Sequence, residues 1–183
     1  MSKLLVADDD RVVLFTLCEG LRQAGFQIIE ARDGLQALAL CQSQAPDLAL
    51  LDLRMPGLDG LELARRLQAE TSVPFVFFSA YNDEAYVQEA VALGALGYLI
   101  KPIQATTLVP MIRTALARAN DIDGLQGAFD TNRSIATAVG MLMHSEGLDQ
   151  ASAFERLRQQ ARSRRCKLEE LAQAMILDSQ QGK

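Results

Sequence analysis

Four places in the chain carry side chains that could act together on a phosphoryl group. Asp8, Asp9 and Asp10 follow the apolar run "KLLVA", Asp52 ends "DLALLD", Ser79 lies in "PFVFFSA", and Lys101 follows "LGYLI". Carboxylates gathered in one place repel one another and shift each other's protonation unless a cation sits among them. An all-oxygen set of ligands suits Mg2+. A carboxylate beside such an ion can attack phosphorus and form an acyl phosphate, with an ammonium and a hydroxyl holding the phosphoryl oxygens. In this reading Asp52 is the nucleophile, and Ser79 and Lys101 hold the transferred group. Singly, each residue has a plainer role: Asp10 as a helix cap, Ser79 as a loop hydroxyl, Lys101 as a surface charge. The specificity lies in their joint arrival. A phosphohydrolase acting through an aspartyl nucleophile would need a second acid two residues further on for proton transfer. That position is Arg54, so the pattern points to a phosphate acceptor rather than a hydrolase.

The elements that must bring these residues together are short. Five apolar segments, at 3–7, 26–31, 47–52, 74–80 and 96–100, have strand length. Between them, apolar residues fall at helical spacing, as in Val13, Leu14, Leu17, Leu21 and in Leu61, Leu63, Ala64, Leu67. Gly25 and Gly94 stand where helices should stop, and Pro46 and Pro74 just before strands. Strands alternating with helices predict a parallel sheet covered on both faces, and continuous apolar strands suit that burial. In such sheets functional groups collect at the carboxyl ends of the strands, where all four places fall. Residues 1–119 therefore read as one α/β domain.

No strand-like run follows. Leu108, Ile112, Ala115, Ala119 and Ile122 alternate in steps of four and three, so the fifth helix either continues as a coiled-coil seam or packs on the sheet. Gly124 and Gly127 weaken a helix there, which puts the boundary near 120. Three helices are predicted beyond it, over about 131–146, 150–164 with Asp149 as N-cap, and 168–180, with Gly147 ending the first. Residues 120–183 thus read as a linker helix and a three-helix bundle.

The chain of 183 residues has 49% hydrophobic content and a net charge of −5, enough for a sizeable core and unlike a general polyanion binder. The acidic excess lies in the first domain and the tail is balanced. Cys18, Cys41 and Cys166 are odd in number and widely spaced, and His144 is the single histidine, so neither a disulfide framework nor a zinc site is predicted. No segment has the length of a signal peptide core or membrane span, and a cytoplasmic protein is expected.

The runs "LLVADDD", "LLDLRMPGLDG", "FFSA" and "GYLIKP" resemble the receiver domain of two-component response regulators. That resemblance implies a (βα)5 flavodoxin-like fold that takes a phosphoryl group from a histidine kinase onto Asp52. It further implies Mg2+ held by Asp8, Asp9, Asp52 and the backbone carbonyl of Arg54. Ser79 and Tyr98 match the switch pair, in which the hydroxyl follows the phosphoryl group and the ring turns inward. Lys101 matches the phosphate-contacting lysine, whose bond to the next proline is usually cis.

Residues 134–176 resemble the ANTAR output domain, a three-helix RNA-binding module of transcription antitermination regulators. The carriers are Ala138, Gly140, Leu142 and Met143, then Gly147, Leu148, Ala153, Phe154, Leu157, Arg158, Ala161, Lys167, Leu168 and Ala172. Most are apolar and physically report a packed bundle. The polar chemistry lies in Arg156, Arg158, Arg162, Arg164, Arg165 and Lys167, a stretch without an acid. Such residues can contact phosphates, and arginine can stack on unpaired bases. Without the resemblance, the same cluster would suit a solvated face or a dock against the acidic domain. RNA hairpin loops are the implied target, and a homodimer, which doubles the contacts, is the expected active form. One departure stands out: the family commonly carries a basic residue between the alanine and glycine of the first motif, and here that residue is Val139. An output that binds protein instead of RNA is the competing reading.

Overall fold

Near-continuous apolar runs, carried through short strands, set the architecture of the first unit. The computed structural model describes residues 1–81 and 83–181. It contains β1 (Lys3–Ala7), α1 (Arg11–Gln23), β2 (Gln27–Ala31), α2 (Gly34–Gln44), β3 (Leu48–Leu51), α3 (Gly60–Glu70), β4 (Phe75–Ser79), α4 (Glu84–Ala92) and β5 (Tyr98–Ile100), followed by α5 (Ala105–Glu146), α6 (Gln150–Arg164) and α7 (Leu168–Gln181). Two compact units divide after Asn120. The strands form one parallel sheet in the order β2-β1-β3-β4-β5. This is the five-stranded parallel (βα)5 arrangement, and its order reverses between β1 and β3, where open α/β sheets place their functional crevice.

Successive strand residues point to opposite faces, and both faces are buried. Leu5, Ala7, Ala49, Leu51, Phe75 and Phe77 face one core, filled from the helices by Ala37, Leu38, Leu63, Leu67 and Ala90. Leu4, Val6, Leu48, Leu50, Val76 and Phe78 face the other, filled by Leu14, Leu17, Leu21, Leu108 and Ile112. Each fully buried leucine or phenylalanine contributes about 1.5–3 kcal/mol, so the sheet is a stiff platform for the loops at its carboxyl edge.

The second unit has its own core, built from Ala138, Val139 and Leu142 of α5, Ala153, Leu157 and Ala161 of α6, and Leu171 and Ala172 of α7. Small residues at these positions let the helices approach closely. Asp149 caps α6, its side chain accepting from the Ser152 N–H at 2.8 Å. Gly147, at φ 69, stands just beyond the end of α5.

Two expectations change. The helix predicted to begin near 131 has no start of its own, because α5 runs unbroken from Ala105 to Glu146 through Gly124 and Gly127. A glycine costs only about 1 kcal/mol relative to alanine in a helix interior, and the surrounding alanines, leucines and arginines outweigh two of them. The apolar stripe also stops short of Ile122, which is exposed. Leu108, Ile112 and Ala115 pack into the core beside the sheet, and Ala119 is buried. That part of the stripe serves the sheet.

Candidate functional site

Strand register brings the acidic residues together. Ala7 pairs with Leu51 at the ends of β1 and β3, so Asp8 and Asp52 leave the sheet side by side, the Asp52 N–H donating to the Ala7 carbonyl at 2.9 Å. Ser79 pairs with Ile100, and the Lys101 N–H donates to the Ser79 carbonyl at 2.8 Å. From that position the Lys101 ammonium donates to Asp8 Oδ2 at 2.6 Å and lies 3.1 Å from Asp52 Oδ1. Asp8, Asp52 and Ser79 are buried, while Asp9 is exposed. Carboxylate oxygens of Asp8, Asp9 and Asp52 lie within 4.8 Å of one another.

Asp10 is set apart from this cluster by a local task. Its side chain caps α1, accepting from the Val12 and Val13 N–H groups at 2.8 and 3.2 Å. The helix start that it fixes also orients the Asp10 N–H toward Asp8 Oδ1, at 3.0 Å. The aspartate run thus divides into one cap and two carboxylates that face Asp52.

Burial raises the Asp52 carboxyl above its ordinary range, against the pull of the Lys101 ammonium, and Asp8 adds to the rise. Burial works against the charge on Lys101, yet Asp8 and Asp52 outweigh it and hold the ammonium above the usual lysine value. A carboxyl that binds its proton more tightly folded than unfolded favours folding at pH values below the ordinary carboxylate range. That increment is lost as pH rises through the folded value. Ionised Asp52 therefore weighs against the metal-free fold near neutral pH. Asp52→Asn is expected to melt above the wild type near pH 7 in chelator, with the advantage shrinking toward about pH 4. A thermal melt that gives the variant no advantage near pH 7 would contradict this sign.

The loop that carries Asp52 away from the sheet is pinned by its own apolar residues. Leu53, Met55 and Leu58 are buried in the core, and Asp59 caps α3 by accepting from the Glu62 N–H at 2.8 Å. The backbone passes so close to two helix starts that only glycine fits. A Cβ on Gly60 would meet the Asp52 carbonyl oxygen at 2.1 Å, and one on Gly34 would meet the Leu58 carbonyl oxygen at 2.1 Å. Spacing along the chain gave no hint of these approaches, because they join elements through space.

Arg54 is exposed, with its guanidinium 4.6 Å from the centroid of the Tyr81 ring. Tyr98, half-buried at the start of β5, donates its hydroxyl to the Tyr81 carbonyl at 2.6 Å. Burial pushes that hydroxyl's pKa up, with the Ser79 hydroxyl opposing. Ser79 Oγ accepts from the Tyr81 N–H at 3.2 Å. Ser79 and Tyr98 therefore both hold the loop after β4, at different atoms of Tyr81. The Lys101–Pro102 peptide bond is cis. Burial also raises the thiols of Cys18 and Cys41 to about 12, keeping them protonated and unreactive.

The basic residues of the tail do not make one face. On α6 the buried seam is Ala153, Leu157 and Ala161. At 3.6 residues per turn, Arg158 and Arg162 fall on one flank of it and Arg156 on the other. Arg164 ends the helix, Arg165 is its left-handed C-cap, and Lys167 lies beyond. Arg156 pairs with Glu146 at 3.2 Å, Arg158 with Glu155 at 2.7 Å and Lys167 with Glu169 at 3.6 Å. Among the described residues, Arg162, Arg164 and Arg165 have no carboxylate within ion-pair distance. Val139 is also other than expected: it is 5% exposed and packs in the bundle core. The valine fills apolar volume in the bundle.

Comparison with known proteins agrees with this division. The response regulator receiver domain matches residues 4–113 and the ANTAR domain residues 123–176. The transcriptional regulatory protein PdtaR of Mycobacterium tuberculosis is 30% identical over 182 residues, 95% of this chain and 89% of that one. The DNA-binding response regulator MtrA of Mycobacterium leprae is 38% identical over 120 residues, 66% of this chain and 53% of its own. Among solved structures, the chemotaxis protein CheY4 of Vibrio cholerae superposes with a TM-score of 0.59 at 30% identity, covering 63% of this chain and 98% of that one. A receiver domain from Methanospirillum hungatei, at 22% identity, shares the fold with a TM-score of 0.62. No helix among the described residues is long and apolar enough to cross a membrane. With a receiver domain followed by an ANTAR domain along nearly its whole length, the chain belongs to the two-component response regulators of the receiver–ANTAR type.

Proposed function

We propose that this regulator accepts a phosphoryl group on Asp52 from a histidine kinase, and that its ANTAR bundle, as a homodimer, then binds RNA hairpin loops and antiterminates transcription. The observation that carries the acceptor site is the Lys101 ammonium lying between Asp8 and Asp52, at 2.6 and 3.1 Å, beside a third carboxylate from Asp9. Three carboxylates, with no nitrogen or sulfur ligand in the cluster among the described residues, make a hard oxygen set that fits Mg2+. Asp8, Asp9, Asp52 and the Arg54 carbonyl would hold it. When bound, it would supply positive charge to offset that of the phosphoryl oxygens.

In the transfer, an Asp52 carboxylate oxygen bonds to phosphorus while the phosphorus–nitrogen bond to the kinase imidazole breaks, its electrons remaining on nitrogen. Burial of Asp52 excludes water from the bond that forms. Lys101, held above its usual pKa, stays charged and can follow the phosphoryl oxygens. The Ser79 hydroxyl is drawn to the same oxygens, which releases its hold on the Tyr81 N–H and frees the loop that Tyr98 also grips. The two arrangements of this loop form the switch.

The test is hairpin RNA binding by the full chain, with and without a small phosphodonor and Mg2+, over a salt series. Tighter binding after phosphorylation, weakening steeply with salt, is the expected result. Equal, weak and salt-insensitive binding in both states would remove the RNA half of the proposal.

A further inference from the structure

The bundle contains a concavity that its packing does not require. Between α5 and the first turns of α6 lies a groove of about 600 Å3 lined in part by Asn132, Val139, Gly140, Met143, Gln150 and Phe154. That volume is typical of ligand clefts, roughly 300–1,000 Å3. The walls are apolar, no lining side chain is charged, and two carboxamides, Asn132 and Gln150, are the polar groups best suited to reading an edge. Met143 and Phe154 are more than a third exposed. Nothing lies within 4 Å of where a Cβ on Gly140 would stand, so the groove is open at its floor.

Charge beside the groove indicates its occupant. Phe154, Arg158 and Arg162 each follow a residue of the buried seam, so all three fall on the same flank of α6. The aromatic ring heads a track of cations that leads away from the groove. Glu155 is paired with Arg158, and the Asp149 carboxylate caps α6. Arg162 has no carboxylate partner among the described residues. An apolar helix in this groove would leave both carboxamides unpaired and would gain nothing from the cations. A nucleotide meets all three features: a π-face for the ring, donors and acceptors for the amides, and a phosphate for the arginines.

We propose that this groove seats one unpaired nucleotide of the RNA loop, its base stacked on Phe154, its edge read by Asn132 and Gln150, and its neighbouring phosphates held by Arg158 and Arg162. The inference rests on the RNA-binding reading and deepens it by naming the surface.

The probe is a hairpin selected by the phosphorylated wild-type chain from a pool with a randomised loop. Phe154→Leu, which keeps apolar cover but removes the ring, is expected to weaken binding on the order of ten-fold, and Phe154→Trp to preserve it. Neither should change the salt slope, whereas Arg162→Ala should reduce it by about one. Gly140→Leu, which fills the groove and favours the helix, should weaken binding to a similar degree. At one loop position, removing the base should cost as much as Phe154→Leu, and the two losses should not add. Wild-type affinity in both Phe154→Leu and Gly140→Leu, with helical content intact, would overturn the groove assignment while leaving RNA binding standing elsewhere. A change in oligomeric mass in place of RNA affinity would assign the groove to a second copy and likewise overturn it. Failure of the wild type to retain any hairpin would overturn both readings.

Discussion

Asp52→Ala is expected to abolish phosphorylation: with Mg2+ and a small phosphodonor, the wild type should gain about one acid-labile phosphoryl group per chain and the variant none. Intact-mass measurement distinguishes the two. The neighbouring acids cannot substitute, for positional reasons. Asp8 is 1% exposed and already engaged by the Lys101 ammonium and the Asp10 N–H. Asp10 is committed to capping α1. Asp9 is exposed at the rim, and a displacement of about 1 Å from the productive position can cost on the order of 100-fold in rate. Equal mass gain in both proteins, or none in either, would defeat the assignment of Asp52.

Lys101→Met should be the most destabilising single change at the site when metal is absent. The methionine keeps much of the side chain's length and loses its charge, leaving Asp8 and Asp52 facing each other in the interior. Removing one partner from a buried charged cluster costs about 3–5 kcal/mol, and a loss of that order is expected in denaturant unfolding with chelator present. Mg2+ should then stabilise the variant more than the wild type, because the ion takes over the neutralisation that the ammonium provided. A smaller Mg2+ stabilisation in Lys101→Met than in the wild type would mean that Asp8 and Asp52 do not share an ion. Restored stability need not bring restored phosphorylation, since the ammonium has a second task at the phosphoryl oxygens.

The sheet and its acidic edge were readable in the sequence because parallel strands buried on both faces leave a plain apolar signature. Where such a strand ends, a polar residue has few places to go but the carboxyl edge. Asp8, Asp52, Ser79 and Lys101 follow that logic, and the register then sets them beside one another. Helix continuity was harder to read. Gly124 and Gly127 are locally unfavourable, but α5 is sustained by the residues around them, and propensity is a weak guide against that context. The basic cluster misled in another way: six cations close in sequence are spread around α6 and beyond its end, and three of them are paired with carboxylates. Val139 reads in the sequence as a lost charge and in the fold as a core residue. The joint hold of Ser79 and Tyr98 on Tyr81 depends on a loop conformation that no spacing rule specifies.

The two helix starts without a Cβ change how a mutational survey of this regulator ought to be interpreted. Gly34 and Gly60 would rank with the acidic residues for intolerance, since any larger side chain displaces the carbonyls of Leu58 or Asp52. Neither contributes an atom to phosphoryl chemistry. Loss of signalling there would report a dislodged segment of main chain, and a ranking by phenotype alone would count two spacers as reactive groups.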